Sequence, residues 1–515
     1  MSSTNIHFDQ IPSGLRRPQI LIEQNTKNAI RGLIGGLDRI VLIAQRLTSG
    51  TVPLKKDAQN ADMTYTAITD VYDEADALKY FGAGSVAHLT AKELFYAAQT
   101  LGAKVQVSIL GIADAAGVKS VHTIEVTNAT APADGILNVW VGENLVQVGY
   151  VSGATHDTIA AAVRAALVAI ANVLPVVVTG SAEFIILTAK HFGCVGNYTH
   201  VSAISESTSP LTVTVTHTTP GSVDPTLGAY TSAAAPLYAL QGANKTIIVN
   251  TLPQLGAATS YLPVNVDSCA DLVDFVCSYD QKRYAIQLIC VDETVGAEAN
   301  IKTAFGTSLN HWRTMCGYID YTTGNCAKME NYKIVGALAA ALCSTADEAV
   351  PYDDVILPGV PAPVIDDRLD AKLETLLWSG LTPIYVIPGE NVAINRAITT
   401  HTVNAQSVPE PALLDINTPR TLDRVCREII ARYSSVFTGA NKKATPGKPK
   451  VAVSQGLEVL SLLEQAEIVK NVQAHKAEFI AEYDLSSPTQ LDIEVPTAIV
   501  EPLHIVAAKV RLIYE

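Results

Sequence analysis

The chain alternates strand-like and helix-like segments up to about residue 115. It turns to short strands from 116 to 224, and then resumes the alternation. This interruption constrains the fold more than any other feature. An α/β layer needs its strands side by side in one sheet, so the sheet must close across whatever is inserted. "DRIVLIAQRL" reads as a buried strand, "TAITDVYDEADALKYFGAGSVAHLTAKELFYAAQTLG" as strand, turn and helices, and "KVQVSILGIAD" as a further strand. After these come "HTIEVTN", "ILNVWVGENLVQVGYV", "LPVVVTGSAEFIILTAKHFG" and "LTVTVTHT", short strands bounded by Gly, Asn and Ser. One helix lies among them, "HDTIAAAVRAALVAI", with Asp157 as its expected cap. The division that follows is an α/β core over 29–115 and 225–400, with a β-rich domain inserted at 116–224.

In the second half, "KTIIVNTLP" and "YAIQLICVD" are strands and "NYKIVGALAAALCSTAD" is an apolar helix. In the helix "DDRLDAKLETLLWSG", Leu369, Leu373, Leu376 and Leu377 share a face and Gly380 stands where a left-handed end residue is wanted. Asp366 and Asp367 precede that helix and read as capping residues rather than a catalytic pair. "LTPIYVI" and "NVAINRAITTHTVN" are expected to pair as a hairpin across "PGEN". A C-terminal domain, 401–515, opens on the amphipathic helix "TPRTLDRVCREIIARY". Its stripe is Leu422, Val425, Cys426, Ile429, Ile430 and Tyr433, with Thr418 as cap and Pro419 in the first turn. A second helix is expected from about 455 to 482.

Both ends of the chain read as lone strands. Within the polar lead of residues 1–28, Ile20, Leu21 and Ile22 form the strongly apolar run, and Pro18 restricts it to a strand start or an edge. At the other end, "EPLHIVAAKVRLIYE" places Val506, Ala508, Val510, Leu512 and Tyr514 on one side, with Lys509 and Arg511 on the other. His504, on the apolar side, reads as a packed or interface residue. A strand with nothing to cover its edge is an aggregation hazard unless another chain pairs with it.

A hydrophobic content of 48% with 17% charged residues suggests apolar surface that closes against neighbours. The net charge of −14 argues against a nucleic-acid partner, and the basic "NKKATPGKPK" lies in a Pro/Gly-rich stretch that reads as a solvated loop. Cysteines at 194, 269, 277, 290, 316, 326, 343 and 426 include no CxxC pair, so buried free thiols in a reducing compartment are expected, with neither a zinc site nor a disulfide framework. No apolar leader opens the chain, and "AAAVRAALVAIANVLPVVV" is broken by Arg164, Asn172 and Pro175, so neither secretion by that route nor membrane insertion is expected. The N-x-T triplets at Asn128, Asn197 and Asn244 then carry no glycan.

The chain's nearest approaches to common catalytic motifs each lack a required residue. "FGAGSVAH" lacks the third glycine of a dinucleotide loop, and "GANKT" lacks the leading glycine of a phosphate loop. Ser85 lacks the flanking glycine of a nucleophile elbow, and the 11 histidines include no HExxH. No cofactor, no metal and no catalytic residue is therefore expected.

Several blocks, in order, resemble the contractile tail sheath proteins of bacteriophages, in their Mu-like branch. They are "DDVILPGVPAPVIDDR", "ETLLWSGLTPIYVIPGENVAINRAITTHTVNA" and "LLDINTPRTLDRVCREIIARY", with the opening "IHFDQIPSGLRRPQILIEQN" and the inserted "ILNVWVGENLVQVGYVSGATHDTIAAAVRAAL" and "LTAKHFGCVGN". The resemblance implies a multidomain tail-sheath fold of the α/β (α+β) class. Its parts are a core of subtilisin-like topology without peptidase activity, an inserted β-rich outer domain, and an α+β C-terminal domain with extended strand arms at both termini. It also implies stacked hexameric rings of this chain around a tail tube protein, bounded by baseplate and tail terminator proteins. The sheath is assembled in the host cytoplasm and contracts in the virion. The arms then correspond to Ile20, Leu21 and Ile22 and to Val506, Val510, Leu512 and Tyr514, the latter from a donor strand at 502–515, and each would add a strand to a neighbour's sheet. Lys470 and Lys476 are candidates for facing the tube. Two other readings compete: an α/β enzyme with an inserted β module, and a surface adhesin that binds glycans through residues 116–224.

Overall fold

A computed structural model describes residues 38–240, 247–252, 254–255, 261–262, 269, 272–273, 275, 284–292, 302–307, 309–321, 327–345, 347–363, 370–389, 391–438, 443–486 and 489–512. The first strand, β1 (Asp38–Arg46), carries Ile40, Val41, Leu42, Ile43 and Ala44 in succession, all fully buried. An apolar run buried on both faces belongs at the centre of a sheet covered on both sides. Next come β2 (Leu54–Lys56), β3 (Asp62–Thr66), β4 (Thr69–Val71), α1 (Glu74–Phe81), α2 (Val86–Leu101) and β5 (Val105–Ala113). Asp73 caps α1 by accepting from the Asp76 amide, and Ser85 caps α2 by accepting from the His88 amide.

From β5 the chain leaves the sheet. It builds β6 (Lys119–Val126), β7 (Gly135–Val141), β8 (Asn144–Tyr150), α3 (His156–Ala169), β9 (Val176–Thr179), β10 (Phe184–Phe192), β11 (Val201–Ser207) and β12 (Val213–Thr219). These strands form two sheets, in the orders β12-β6-β10-β9 and β11-β7-β8. Alternate residues such as Ile124, Leu137, Val139, Ile185 and Leu187 meet Ile159, Val163 and Leu167 of α3 in a separate core. The cap of α3 is Thr155, whose hydroxyl accepts from the Thr158 amide, so the expected Asp157 cap is corrected. Asp157 lies one residue inside the helix, too late to cap it, and contributes its charge to the first turn.

The chain then re-enters the first sheet with β13 (Ile247–Asn250) and continues through β14 (Gln254–Leu255), β15 (Tyr261–Leu262), β16 (Ile286–Asp292), β17 (Thr314–Ile319), α4 (Asn331–Leu342), α5 (Asp370–Trp378), β18 (Thr382–Ile387) and β19 (Asn391–Ile394). The ten-stranded order is β19-β18-β17-β16-β13-β1-β5-β3-β2, with β4 also on β5. Strands β5, β1, β13, β16, β17 and β18 run parallel, and Ile40 stands opposite both Val107 and Ile247. The sheet thus closes across the excursion. The expected hairpin of β18 and β19 is present, with Ile384 opposite Ile394. All of α4 is buried, and α2 approaches it so closely that a Cβ on Gly336 would lie 2.6 Å from the Thr90 carbonyl oxygen. Gly380 follows α5 at φ +77°, the left-handed position expected of it, while Leu369, Asp366 and Asp367 lie outside the described residues.

The remaining elements are α6 (Asn417–Val436), α7 (Lys448–Gln465), β20 (Val469–Lys470), β21 (Ile480–Tyr483), β22 (Leu491–Glu494) and β23 (Ala498–Ile499). Three expectations are corrected here. Thr418 is not the cap of α6; its hydroxyl donates to the Ala412 carbonyl at 3.4 Å, and the helix begins after Ile416. The buried residues of α6 are mostly polar, namely Asn417, Thr418, Arg420, Thr421, Asp423 and Glu428, and of the expected apolar stripe only Val425 is fully buried. The cause is a buried pair: both guanidinium nitrogens of Arg313 donate to the Asp423 carboxylate at 2.7 Å. Finally, the second helix ends at Gln465 rather than near 482, because the chain turns at Glu467 and Asn471, both with φ +58°.

Candidate functional site

Residues 500–512 carry neither helix nor strand in the single chain. Ile505 is 78% exposed, Val506 81%, Val510 96% and Leu512 72%. Apolar side chains of both parities face solvent, so the alternation expected from sequence selects no face here. Four aliphatic side chains held in water forgo roughly 1.5 to 3 kcal/mol each relative to burial. Tyr514 and the arm residues Ile20, Leu21 and Ile22 lie outside the described residues.

The neighbouring hairpin is also incompletely paired. Strands β21 and β22 bond only to one another among the described residues, with Ile480 opposite Glu494 and Tyr483 opposite Leu491. Their outer edges offer backbone groups to another strand. Beside β21 runs a groove of about 650 Å³, lined by Pro449, Val453 and Leu457 of α7 together with Lys476, Phe479 and Ile480. Gly456 lets Phe479 lie against the helix, since a Cβ there would meet the ring at 2.3 Å.

Lys470 and Lys476 do not share a helix, because α7 has already ended. Lys470 lies on β20 and pairs with Glu501, whose carboxyl this hydrogen bond holds below its ordinary range. Lys476 opens a short 3-10 turn at the groove. Nothing in the geometry brings the two together as one charged face.

Where the inserted strands meet the first sheet, buried polar groups converge. His191 holds Asp114 through Nδ1 at 2.7 Å and accepts the Val86 amide on Nε2 at 3.1 Å, one residue from Ser85. Asp, His and Ser therefore stand close in space, a juxtaposition that no local motif announced. Yet the Nε2 lone pair is occupied by a backbone N–H, and the Ser85 hydroxyl caps α2, so His191 holds no free base for a serine nucleophile. Nearby, Lys190 donates to the carbonyls of Ala83 and Ala171 with no carboxylate partner among the described residues, and burial lowers it to about 8. His88, buried and facing Lys92, Lys190 and Lys333, is lowered to about 4.

Lys333 comes from the first turn of buried α4 and reaches both oxygens of Glu143, in the β7–β8 turn, at 2.9 Å. Burial disfavours its charge, but Glu143 and Glu330 prevail and hold the ammonium well above its ordinary range. These groups join the inserted strands to the body. The described cysteines are free thiols, and burial pushes Cys269 up to about 12, which makes it inert. Ligand atoms of His156, Asp157 and Glu183 lie within 4.8 Å of one another, but the positive end of α3 opposes a cation there. No described helix is long and apolar enough to cross a membrane.

Comparison with known proteins gives one end-to-end match of sequence. The chain is 24% identical over 536 aligned residues to the Mu-like prophage FluMu tail sheath protein of Haemophilus influenzae, covering 99% of this chain and all of that one. Among solved structures it is similar to a sheath tail protein of Listeria innocua, with a TM-score of 0.49 at 13% identity, covering 92% of this chain and 94% of the other. A sheath tail protein of Desulfitobacterium hafniense follows, with a TM-score of 0.47 at 13% identity, covering 95% and 97%. No family model matches. With its ordered blocks matched from end to end, the chain is similar along its whole length to a tail sheath protein.

Proposed function

We propose that this protein is the structural subunit of a contractile tail sheath, polymerising as stacked hexameric rings around a tail tube and contracting to drive that tube through a bacterial envelope. The observation that carries this reading is the end-to-end match to a tail sheath protein. The exposed apolar segment at 503–512 and the open-edged β21–β22 hairpin suit it, because strand addition needs a donor and an acceptor. A segment given to one copy while the hairpin receives from another makes a head-to-tail contact, which propagates instead of closing into a dimer. Each strand added supplies several backbone hydrogen bonds at about 0.5 to 1.5 kcal/mol net, plus the burial of its aliphatic side chains.

In this reading Val506, Val510, Leu512 and Tyr514, with Ile20, Leu21 and Ile22 at the other end, form the intersubunit arms. The tail tube protein, the baseplate and the tail terminator are the partners, and the virion tail is the destination after assembly in the host cytoplasm. Lys470 and Lys476 remain candidate tube contacts as separate charges. Contraction moves subunits as rigid bodies between two packings, so no nucleotide is required. The division into a core at 29–115 and 225–400, an insert at 116–224 and a C-terminal domain at 401–515 follows the same reading.

Negative-stain microscopy of the purified chain tests it. Hollow tubes or ring stacks are expected from the full chain, and deletion of Glu501 to Glu515 should leave a folded subunit that forms neither. A monodisperse monomer at high concentration, or normal tubes from the truncated chain, would count against the reading.

A further inference from the structure

The C-terminal segment is tethered at one residue. Leu503, Ile505 and Val506 face solvent, whereas the His504 side chain is only 11% exposed. Its Nδ1 lies 2.5 Å from Asp353 Oδ2 and its Nε2 lies 3.3 Å from Asp415 Oδ1. The two carboxylates come from different parts of the fold. Asp353 sits in the loop that runs beside β19, where the Asp354 amide donates to the Ile394 carbonyl, and Asp415 lies in the turn before α6. Arg396, just past β19, grips Asp415 through Nε at 2.9 Å and Nη2 at 3.0 Å. The adjacent Asp354 accepts from the Tyr385 hydroxyl at 2.5 Å. Towards the root of the segment, Lys470 pairs with Glu501.

Two carboxylates and one guanidinium around the ring leave one formal negative charge, which a proton on the imidazole neutralises. A neutral imidazole carries one N–H and satisfies one carboxylate, whereas an imidazolium carries two and serves both. As placed, His504 Nε2 and Asp353 Oδ1 are buried without a hydrogen-bond partner, so the ring bonds one acid and leaves the second contact to charge. The segment beyond it makes no regular structure, which leaves His504 as the point where residues 505–512 leave the body.

The geometry points to a protonation-dependent latch. Charged His504 holds the root of the C-terminal segment against the subunit's own body, and loss of the proton frees that root. The consequence rests on the sheath reading: a free root favours donation of the segment to another copy, so assembly responds to pH at this position.

Hydrogen exchange measured by mass spectrometry on the full-length chain tests the latch, using peptides covering 500–508 with rates corrected for intrinsic pH dependence. Between about pH 5.5 and pH 8, where histidine changes charge, the wild-type root should lose about tenfold in protection, the size of one charge-assisted contact. His504→Gln should show the unlatched rate at both pH values, and His504→Arg should be protected at both. Far-UV circular dichroism confirms that each variant is folded. Equal protection of wild type and His504→Gln at both pH values overturns the latch. Negative stain of the same samples separates the two readings. Protection that follows pH without any tubes counts against the sheath reading alone, and tubes with flat protection count against the latch alone.

Discussion

The centre of the ten-stranded sheet and the C-terminal segment are both rich in aliphatic residues, yet they end in opposite states. In β1 the run from Ile40 to Ala44 is wholly buried between β5 and β13, with every strand edge taken. In residues 503–512 comparable side chains stand in water and the backbone has no ladder. Local composition is similar, so the difference lies in what surrounds each segment. The sheet finds its neighbours within one chain, and the terminal segment does not. A chain that satisfies its centre and leaves an edge unsatisfied is stable alone and incomplete alone, which suits a subunit of a polymer.

The largest expected effect separates the two regions cleanly. Removing residues 505–515 should abolish tubes seen by negative stain while shifting thermal unfolding by less than about 0.5 kcal/mol, as for surface changes. Tubes at normal yield, or a large loss of stability, would erase the contrast. Next, Arg313→Ala should destabilise the folded chain by about 3 to 5 kcal/mol in urea unfolding, because Asp423 is left charged and buried. Leu42→Ala in β1 should cost about 2 to 5 kcal/mol by opening a cavity, where Leu512→Ala costs the isolated chain almost nothing.

Acid should also act on the body, in a lower window than on the segment. Burial lowers His88 and His311 to about 4, below the 6.5 of an unfolded histidine. The unfolded chain therefore binds more protons between pH 6.5 and pH 4, so stability falls across that window as pH falls. Each group is worth about 3 kcal/mol at the extreme, and His88→Gln should flatten the slope of melting temperature against pH by its share. An unchanged slope would mean that another buried group sets it. The smallest expected effect is at Val506→Ser, with no measurable change in subunit stability and weaker tubes.

Much of this was legible in the sequence. Buried strands with period-free apolar runs, the β18–β19 hairpin across "PGEN", the glycine after α5 and the return of the sheet after an insertion were all read from pattern and punctuation. These are signals written within a few residues of where they act. The errors have two causes, a backbone turn or nearby carbonyl that redirected the chain locally and a partner distant in sequence that overrode the local signal. Thr418 was denied its cap by Ala412, the amphipathic stripe of α6 yielded the deepest burial to Asp423 because Arg313 waits there, and α7 stopped short because Glu467 and Asn471 adopt left-handed turns.

By itself, the sequence determined an α/β sheet interrupted by a β-rich excursion, free thiols at the described cysteines, and a terminal apolar segment without a local partner. Periodicity and composition act through neighbours along the chain, and these features need nothing else. Tertiary structure alone decided that Lys333 would meet Glu143 across the junction, that Asp114, His191 and Ser85 would come together with the imidazole already occupied, and that His504 would be clasped between Asp353 and Asp415. Each of these depends on bringing together residues far apart in the chain. A burial cost sets their energetics, and that cost exists only once the chain has excluded water around them.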